Sequence, residues 1–149
     1  MAQVHLEPKH AKALIDAHIT GLPEPKRTDV QMLHGLVTRN LSAKKLWFSD
    51  GLNEEGRVVT NPTIGYGSFL MNAANGKSTE WFRIGLCATK AGISVYVLGI
   101  PDKTYLAHTF GKRIGKAKVT GYCISFKTLK DIDVDVLEEA VRHGLSLKA

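Results

Sequence analysis

The sequence contains only two cysteines, Cys87 and Cys123, in 149 residues. They do not form a C-x-x-C pair and each lies in an apolar run, so we expect buried, reduced thiols rather than a disulfide framework. The six histidines form neither H-x-x-H nor H-E-x-x-H, so the local signatures of a zinc site are absent from the sequence. This cysteine usage predicts a cytoplasmic protein.

Long hydrophobic runs are also lacking. No apolar stretch approaches the ~20 residues that cross a bilayer. The first ten residues, MAQVHLEPKH, do not contain the apolar segment of a signal peptide. We therefore predict no membrane segment.

Recognisable nucleophile motifs are missing as well. There is no G-x-S-x-G and no serine with a recognisable base partner. Cys123 is the one thiol worth considering, and Lys127 would lower its pKa if the two were adjacent. A cysteine in the core of a strand is the stronger interpretation. These features favour a binding or carrier module over an enzyme.

The charge and composition are those of a single globular domain. The chain has 44% hydrophobic residues, and 20 basic residues against 14 acidic ones give a net charge of +6. This length and hydrophobic content predict one domain over residues 1–149 with its own core. The positive charge permits binding to nucleic acid or another anion, although it does not specify the fold.

Apolar residues at helical spacing predict four helices. Their expected ranges are 9–19, 28–40 (or from Pro25), 101–114 and 131–145. In the third, Leu106, Phe110 and Ile114 lie four residues apart and therefore on one stripe. This helix would end before Gly115, with Lys112 and Arg113 in its last turn.

The strands are predicted from alternating apolar residues and turn signals. Their expected ranges are 45–50, 57–59, 64–71, 79–89, 93–99 and 122–127. Asn75-Gly76 predicts a hairpin turn. In segment 79–89, Phe82, Ile84, Leu86 and Ala88 would share one face, and in segment 93–99 Ile93, Val95 and Val97 would alternate with Tyr96 and Leu98. The fold class is therefore α+β, a mostly antiparallel sheet of about five strands flanked by helices.

Several segments together resemble the YdhG-like family of small bacterial proteins, a domain family largely without an assigned function. The matching segments are LPEPKR (22–27), Trp47, IGYG (64–67), 81–96 and IGKAKVTGYCISFKTLKDIDVDVLEE (114–139). The resemblance covers about residues 10–145. It departs at Ala117, where the family often has histidine, and at residues 48–61, which look like an insertion. The resemblance implies a frataxin-like fold and, from one member, intracellular iron delivery.

An acidic run near the C-terminus could supply oxygen ligands for iron. It consists of Asp131, Asp133, Asp135, Glu138 and Glu139. Acids before and within the first turn of a helix also cap its free N–H groups, and this is the stronger interpretation. The net positive charge further disfavours a surface that attracts cations.

A basic segment offers a second kind of site. It contains Lys112, Arg113, Lys116 and Lys118 among three glycines, within GKRIGKAKVTG (111–121). Such cations can contact phosphate, although a helix ending here has the wrong polarity for a phosphate loop. No helix-turn-helix or RNP pattern accompanies them. An anion-binding or nucleic-acid-binding module is therefore an alternative to iron delivery.

A third hypothesis is a small-molecule site around Tyr66 and Trp47. Tyr66 lies between Gly65 and Gly67, which would allow a ligand or another backbone to approach closely. A strand bulge explains the same glycines equally well. Aromatic residues on a sheet also commonly pack beneath a helix.

Overall fold

The computed structural model describes residues 8–41, 45–52, 55–58, 61–72 and 76–146. The α-helices in this part of the chain are α1 (Pro8–Thr20), α2 (Lys26–Arg39), α3 (Tyr105–Phe110) and α4 (Val134–Ser146). The strands are β1 (Leu46–Ser49), β2 (Thr63–Tyr66), β3 (Phe69–Asn72), β4 (Ser78–Trp81), β5 (Ile84–Ala88), β6 (Ile93–Val97), β7 (Lys118–Val119) and β8 (Cys123–Phe126). A 3-10 helix, Leu129–Asp131, precedes α4.

Six strands form one antiparallel sheet in the order β1-β2-β5-β6-β8-β7, and β3 pairs with β4 in a separate two-stranded ribbon. The predicted α+β class, with a mostly antiparallel sheet flanked by helices, is confirmed. The main sheet has one strand more than the predicted number of about five. The additional strand, β7, is only two residues long, so it carries too little alternation to be recognised from sequence.

The core lies between one face of the sheet, which we call the core face, and the apolar sides of the helices. Side chains alternate along a strand, so every second residue of β6 and β8 points into this core. Ile93, Val95 and Val97 alternate as predicted, and Ile124 is fully buried beside them. Each such side chain contributes about 1.5–3 kcal/mol through burial.

The structure corrects two predicted strands. Segment 64–71 divides at Gly67, which has φ +71°, so β2 enters the main sheet and β3 enters the ribbon. Segment 79–89 divides in the same way between β4 and β5. Phe82 therefore does not share a face with Ile84; it packs on the opposite face, against Gly65. Alternation alone did not reveal the break because residues on both sides of it are strand-like.

Two smaller predictions fall partly outside the described residues. The return strand at 57–59 is represented by an isolated bridge between Val58 and Leu52, and residue 59 is not described. Asn75 of the predicted hairpin turn is also outside the described residues. The antiparallel pairing of β3 with β4 agrees with a hairpin at this place.

The third helix is shorter than predicted. It ends at Phe110, and Lys112 and Arg113 lie in the turn that follows rather than in its last turn. The chain leaves the helix because Ile114 and Gly115 join the segment before α4. The Asp133 N–H donates to the Ile114 carbonyl at 2.7 Å, and Gly115 forms a bridge with Ile132. Gly115 has φ +103°, a conformation that favours glycine.

Two helical glycines are expected to respond oppositely to alanine. In α4, a Cβ on Gly144 would lie 2.6 Å from Val97 Cγ1 and 3.0 Å from Ile84 Cδ1. In α2, a Cβ on Gly35 would meet nothing within 4 Å. We expect Gly35→Ala to raise the free energy of unfolding by about 0.5–1 kcal/mol through helix propensity. Gly144→Ala should lower it by about 1–3 kcal/mol because the core is overpacked.

Urea denaturation of both variants measures these changes. A stabilising Gly144→Ala would show that α4 does not lie as close to β5 and β6 as described.

Candidate functional site

The face of the main sheet opposite the core, which we call the second face, carries a row of polar side chains. The registers of the strand pairs place one residue from each strand directly opposite the next. The row reads Ser49, Thr63, Cys87, Ser94, Ser125, Lys118. Its first four members are buried, whereas Lys118 is exposed at the sheet edge. The row therefore leads from the interior to a charged edge.

A cavity of about 410 Å³ lies at this charged end. Its polar lining consists of three lysines and three hydroxyl-bearing residues, and we call it the basic cleft. These residues are Lys116, Lys118, Lys127, Thr89, Ser94 and Ser125. Among the described residues that line it, none is acidic. An anion would therefore meet cations and hydroxyl donors without an opposing carboxylate.

The lysines reach the cleft from two separate segments. Lys116 follows Gly115, and its N–H donates to the Asp131 carbonyl at 3.0 Å, which holds the turn against the segment before α4. Lys118 begins β7, and Lys127 follows β8. Strands β7 and β8 pair directly, with Lys118 opposite Ser125. This pairing brings Lys118 close to Lys127 although the two lysines are nine residues apart in the chain.

The floor of the cleft is formed by hydroxyl groups. Ser94 Oγ and Ser125 Oγ are 3.0 Å apart across β6 and β8. Either hydroxyl can donate in this pair, and Ser125 Oγ also lies 3.3 Å from Cys123 Sγ. Thr89 receives a hydrogen bond from Lys26 Nζ at its carbonyl, and this contact anchors the β5–β6 turn to α2.

A second cavity, of about 270 Å³, adjoins the basic cleft and shares Lys127 with it. Lys26 and Lys90 also line it. The acid in its lining, Asp29, accepts a hydrogen bond from the Leu129 N–H at 3.1 Å. The positive surface thus continues past the cleft towards the start of α2.

The predicted basic segment is divided by the structure. Lys116 and Lys118 line the basic cleft, but Lys112 and Arg113 are not among its lining residues. The Arg113 guanidinium pairs with Glu139 at 2.5 Å and lies 6.0 Å from the centre of the Phe110 ring. Lys112 is exposed in the same turn. The anion hypothesis is therefore carried by the second half of the segment.

The acidic residues have mainly structural contacts. Asp131 Oδ2 accepts from the Thr128 hydroxyl at 3.0 Å, and Asp133 Oδ1 accepts from the N–H groups of Asp135 and Val136 at 3.0 and 3.3 Å. Glu138 receives hydrogen bonds from Arg39 and Asn40. Asp135 is exposed in the first turn of α4.

The contacts of Glu138 also change the pKa of its carboxyl group. The amide of Asn40 donates to it at 2.7 Å, and this hydrogen bond, with help from Arg39 and Arg142, lowers the pKa of its carboxyl group.

Within the described part of the chain, no group of three or more histidine, cysteine or acidic residues is placed to hold a metal ion. Iron delivery stays a prediction, based on the resemblance alone.

Asp133 offers a direct test of the capping interpretation. Replacing it with alanine should lower the free energy of unfolding by about 1 kcal/mol, because two N–H groups of α4 lose their acceptor. Asp133→Asn keeps an acceptor oxygen and should cost much less. Urea denaturation compares the two. Equal losses in both variants would show that the charge of Asp133, and not its capping bond, stabilises the protein.

Tyr66 and Trp47 are buried rather than exposed to a ligand. The Tyr66 side chain is on the core face with 0% exposure, and its hydroxyl lies 2.7 Å from His34 Nδ1. Burial raises the pKa of Tyr66 and lowers that of His34, which favours an uncharged hydrogen bond between the phenol and the imidazole. Trp47 Nε1 donates to the Gly67 carbonyl at 2.8 Å.

Tyr66 and Trp47 line neither the basic cleft nor the adjoining second cavity. A further cavity of about 380 Å³ is lined by His34 together with Lys12, Thr38 and Arg39, and Tyr66 lies behind His34 rather than in its wall. The small-molecule hypothesis around Tyr66 and Trp47 stays a prediction. Their hydrogen bonds within the protein account for the positions of both side chains.

The two cysteines lie on the second face. Cys87 is buried in the polar row, and burial raises the pKa of its thiol. Cys123 is half-buried, with its Sγ 3.3 Å from Ser125 Oγ. Both thiols are free of disulfide bonds, as expected. Lys127 lines the basic cleft and was considered from the sequence only as a neighbour of Cys123.

Sequence reasoning missed the hydroxyl groups of the cleft. Ser94 and Ser125 fall on the polar side of alternating strands, which was the available signal. Their meeting depends on the pairing of β6 with β8, which local sequence does not specify.

Comparison with protein-family models, curated proteins and solved structures returned no match. In the described part of the chain, each helix is too short or too polar to cross a membrane.

Proposed function

We propose that the protein is a binding module, without catalytic activity of its own, for a phosphate-bearing anion held in the basic cleft. One observation carries this proposal: Lys116, Lys118 and Lys127 converge on one cavity that also presents hydroxyl groups. Ammonium groups and hydroxyls are the donors that phosphate oxygens accept from.

The charges of the cleft support a bound anion. Three ammonium groups around one cavity repel each other, and a bound anion adds an attraction to each of them that offsets this repulsion. At about 4 Å, an attractive pair of unit charges contributes about 1 kcal/mol in bulk water and about 4 kcal/mol at an effective dielectric constant of 20. The net charge of +6 adds long-range attraction for anions.

Calorimetric titration with inorganic tripolyphosphate at low salt tests the proposal. We expect binding that weakens as salt rises, because screening reduces the attraction. The double variant Lys116→Glu/Lys118→Glu should bind at least about tenfold more weakly, a change of about 1.4 kcal/mol. Tripolyphosphate should also raise the melting temperature of the native protein, because it binds the folded state.

A matched control separates the cleft from net charge. Lys12→Glu/Lys112→Glu alters two exposed lysines outside the basic cleft. Each pair makes two changes of −2, so both variants have a net charge of +2 instead of +6. The control should retain most of the affinity. Equal loss in both variants, or no binding by the native protein, would refute a specific cleft.

A further inference from the structure

Two tyrosines form an aromatic surface beside the basic cleft. Tyr96 lies on the second face of β6, and the Tyr122 ring stacks on it with 6.2 Å between ring centres and 21° between ring planes. Tyr122 is 57% exposed. Since large aromatic side chains usually bury most of their surface, an exposed ring supported by another ring is well suited to contact a planar ligand.

The stacked tyrosines are held in place by the strands. Tyr96 is opposite Cys123 in the pairing of β6 with β8, and the Tyr122 carbonyl accepts from the Val97 N–H at 2.8 Å. The Thr120 N–H donates to the Cys123 carbonyl at 2.9 Å, which closes the turn that carries Tyr122. The aromatic surface is therefore positioned by backbone hydrogen bonds before any ligand arrives.

The aromatic surface and the basic cleft are continuous. Tyr96 follows Ser94 by two residues on the same strand, so both point to the second face at a separation of about 7 Å. Ser94 also lines the cleft. This spacing is comparable with the step between neighbouring nucleotides in an extended single strand.

We propose that the ligand is a single-stranded nucleic acid, with an unpaired base stacked on Tyr122 and its neighbouring phosphates in the basic cleft. The inference rests on the proposed function and adds the class of ligand. Aromatic platforms beside cationic grooves bind single strands because every base has a π-face and every linkage has a charge. A paired base in a duplex does not expose its face to such a platform.

Fluorescence anisotropy with two labelled probes tests this assignment. One probe is an oligothymidylate of about 12 nucleotides, and the other is an abasic deoxyribose-phosphate strand of the same length. The native protein should bind the oligothymidylate at least about tenfold more tightly than the abasic strand. Tyr122→Ala should remove most of this difference and leave abasic binding unchanged. Tyr122→Phe, which keeps the ring, should retain native affinity for both probes.

The outcomes separate the inference from the proposed function. If both probes bind the native protein equally, and Lys116→Glu/Lys118→Glu weakens both, the cleft binds anions without contacting bases and the inference is overturned. An unchanged preference in Tyr122→Ala also overturns it. If the protein binds neither probe nor tripolyphosphate, the proposed function fails together with the inference.

Discussion

Replacing Gly65 with alanine is expected to lower the free energy of unfolding by about 3 kcal/mol. Gly65 and Gly85 face each other on β2 and β5, and the Phe82 ring lies directly against them. A Cβ on Gly65 would be 2.7 Å from Phe82 Cβ and 2.9 Å from Trp47 Cβ. These atoms are close to the backbone, so neither side chain can avoid the new methyl group by rotating.

A double-mutant cycle identifies the contact responsible. Phe82→Ala alone should destabilise the protein by about 3 kcal/mol, because a buried ring is removed. In that background, Gly65→Ala should cost less than in the native protein, since Phe82 Cγ, which would lie 2.8 Å from the new Cβ, is gone while the Cβ atoms of residue 82 and Trp47 remain. Urea denaturation of the four proteins gives the coupling. Additive losses would show that Phe82 does not pack on Gly65.

Tyr66 provides the other large effect. Tyr66→Ala should lower the free energy of unfolding by about 3–5 kcal/mol, because it leaves a large cavity in the core. Tyr66→Phe keeps the ring and should cost only about 1 kcal/mol, the contribution of its hydrogen bond with His34. Chemical denaturation measures both.

The binding of tripolyphosphate by Tyr66→Phe supplies the functional control. Tyr66 points to the core face, whereas the basic cleft opens on the second face, so the affinity should be unchanged. A large loss of affinity in Tyr66→Phe without loss of stability would instead support a ligand site near Tyr66.

The local spacing of apolar residues was sufficient to predict much of the fold. Alternation correctly placed Ile93, Val95 and Val97 on one face of a strand, and helical spacing correctly placed Leu106 and Phe110 on one stripe; all five side chains are buried. Alternation failed at Phe82 because the chain changes sheets there, and nothing in a strand-like segment marks that change. Spacing failed at Ile114, which is buried as expected but lies beyond the end of α3.

The candidate site depended on long-range pairing to a greater degree. Lys116 and Lys118 were noticed because they are close together in the sequence. Lys127, Ser94 and Ser125 join them only through the pairing of β8 with β6 and β7. Local composition does not determine such contacts. The acidic run is a further example, since Glu138 and Glu139 pair with arginines from other parts of the chain.

The position of a bound anion is the central question, and nuclear magnetic resonance can answer it. Tripolyphosphate titrated into ¹⁵N-labelled protein should shift the backbone amides of the basic cleft most strongly. Those amides belong to Thr89, Ser94, Lys116, Lys118, Ser125 and Lys127. Shifts centred instead on residues 12–39, around His34, or the absence of localised shifts, would contradict the account.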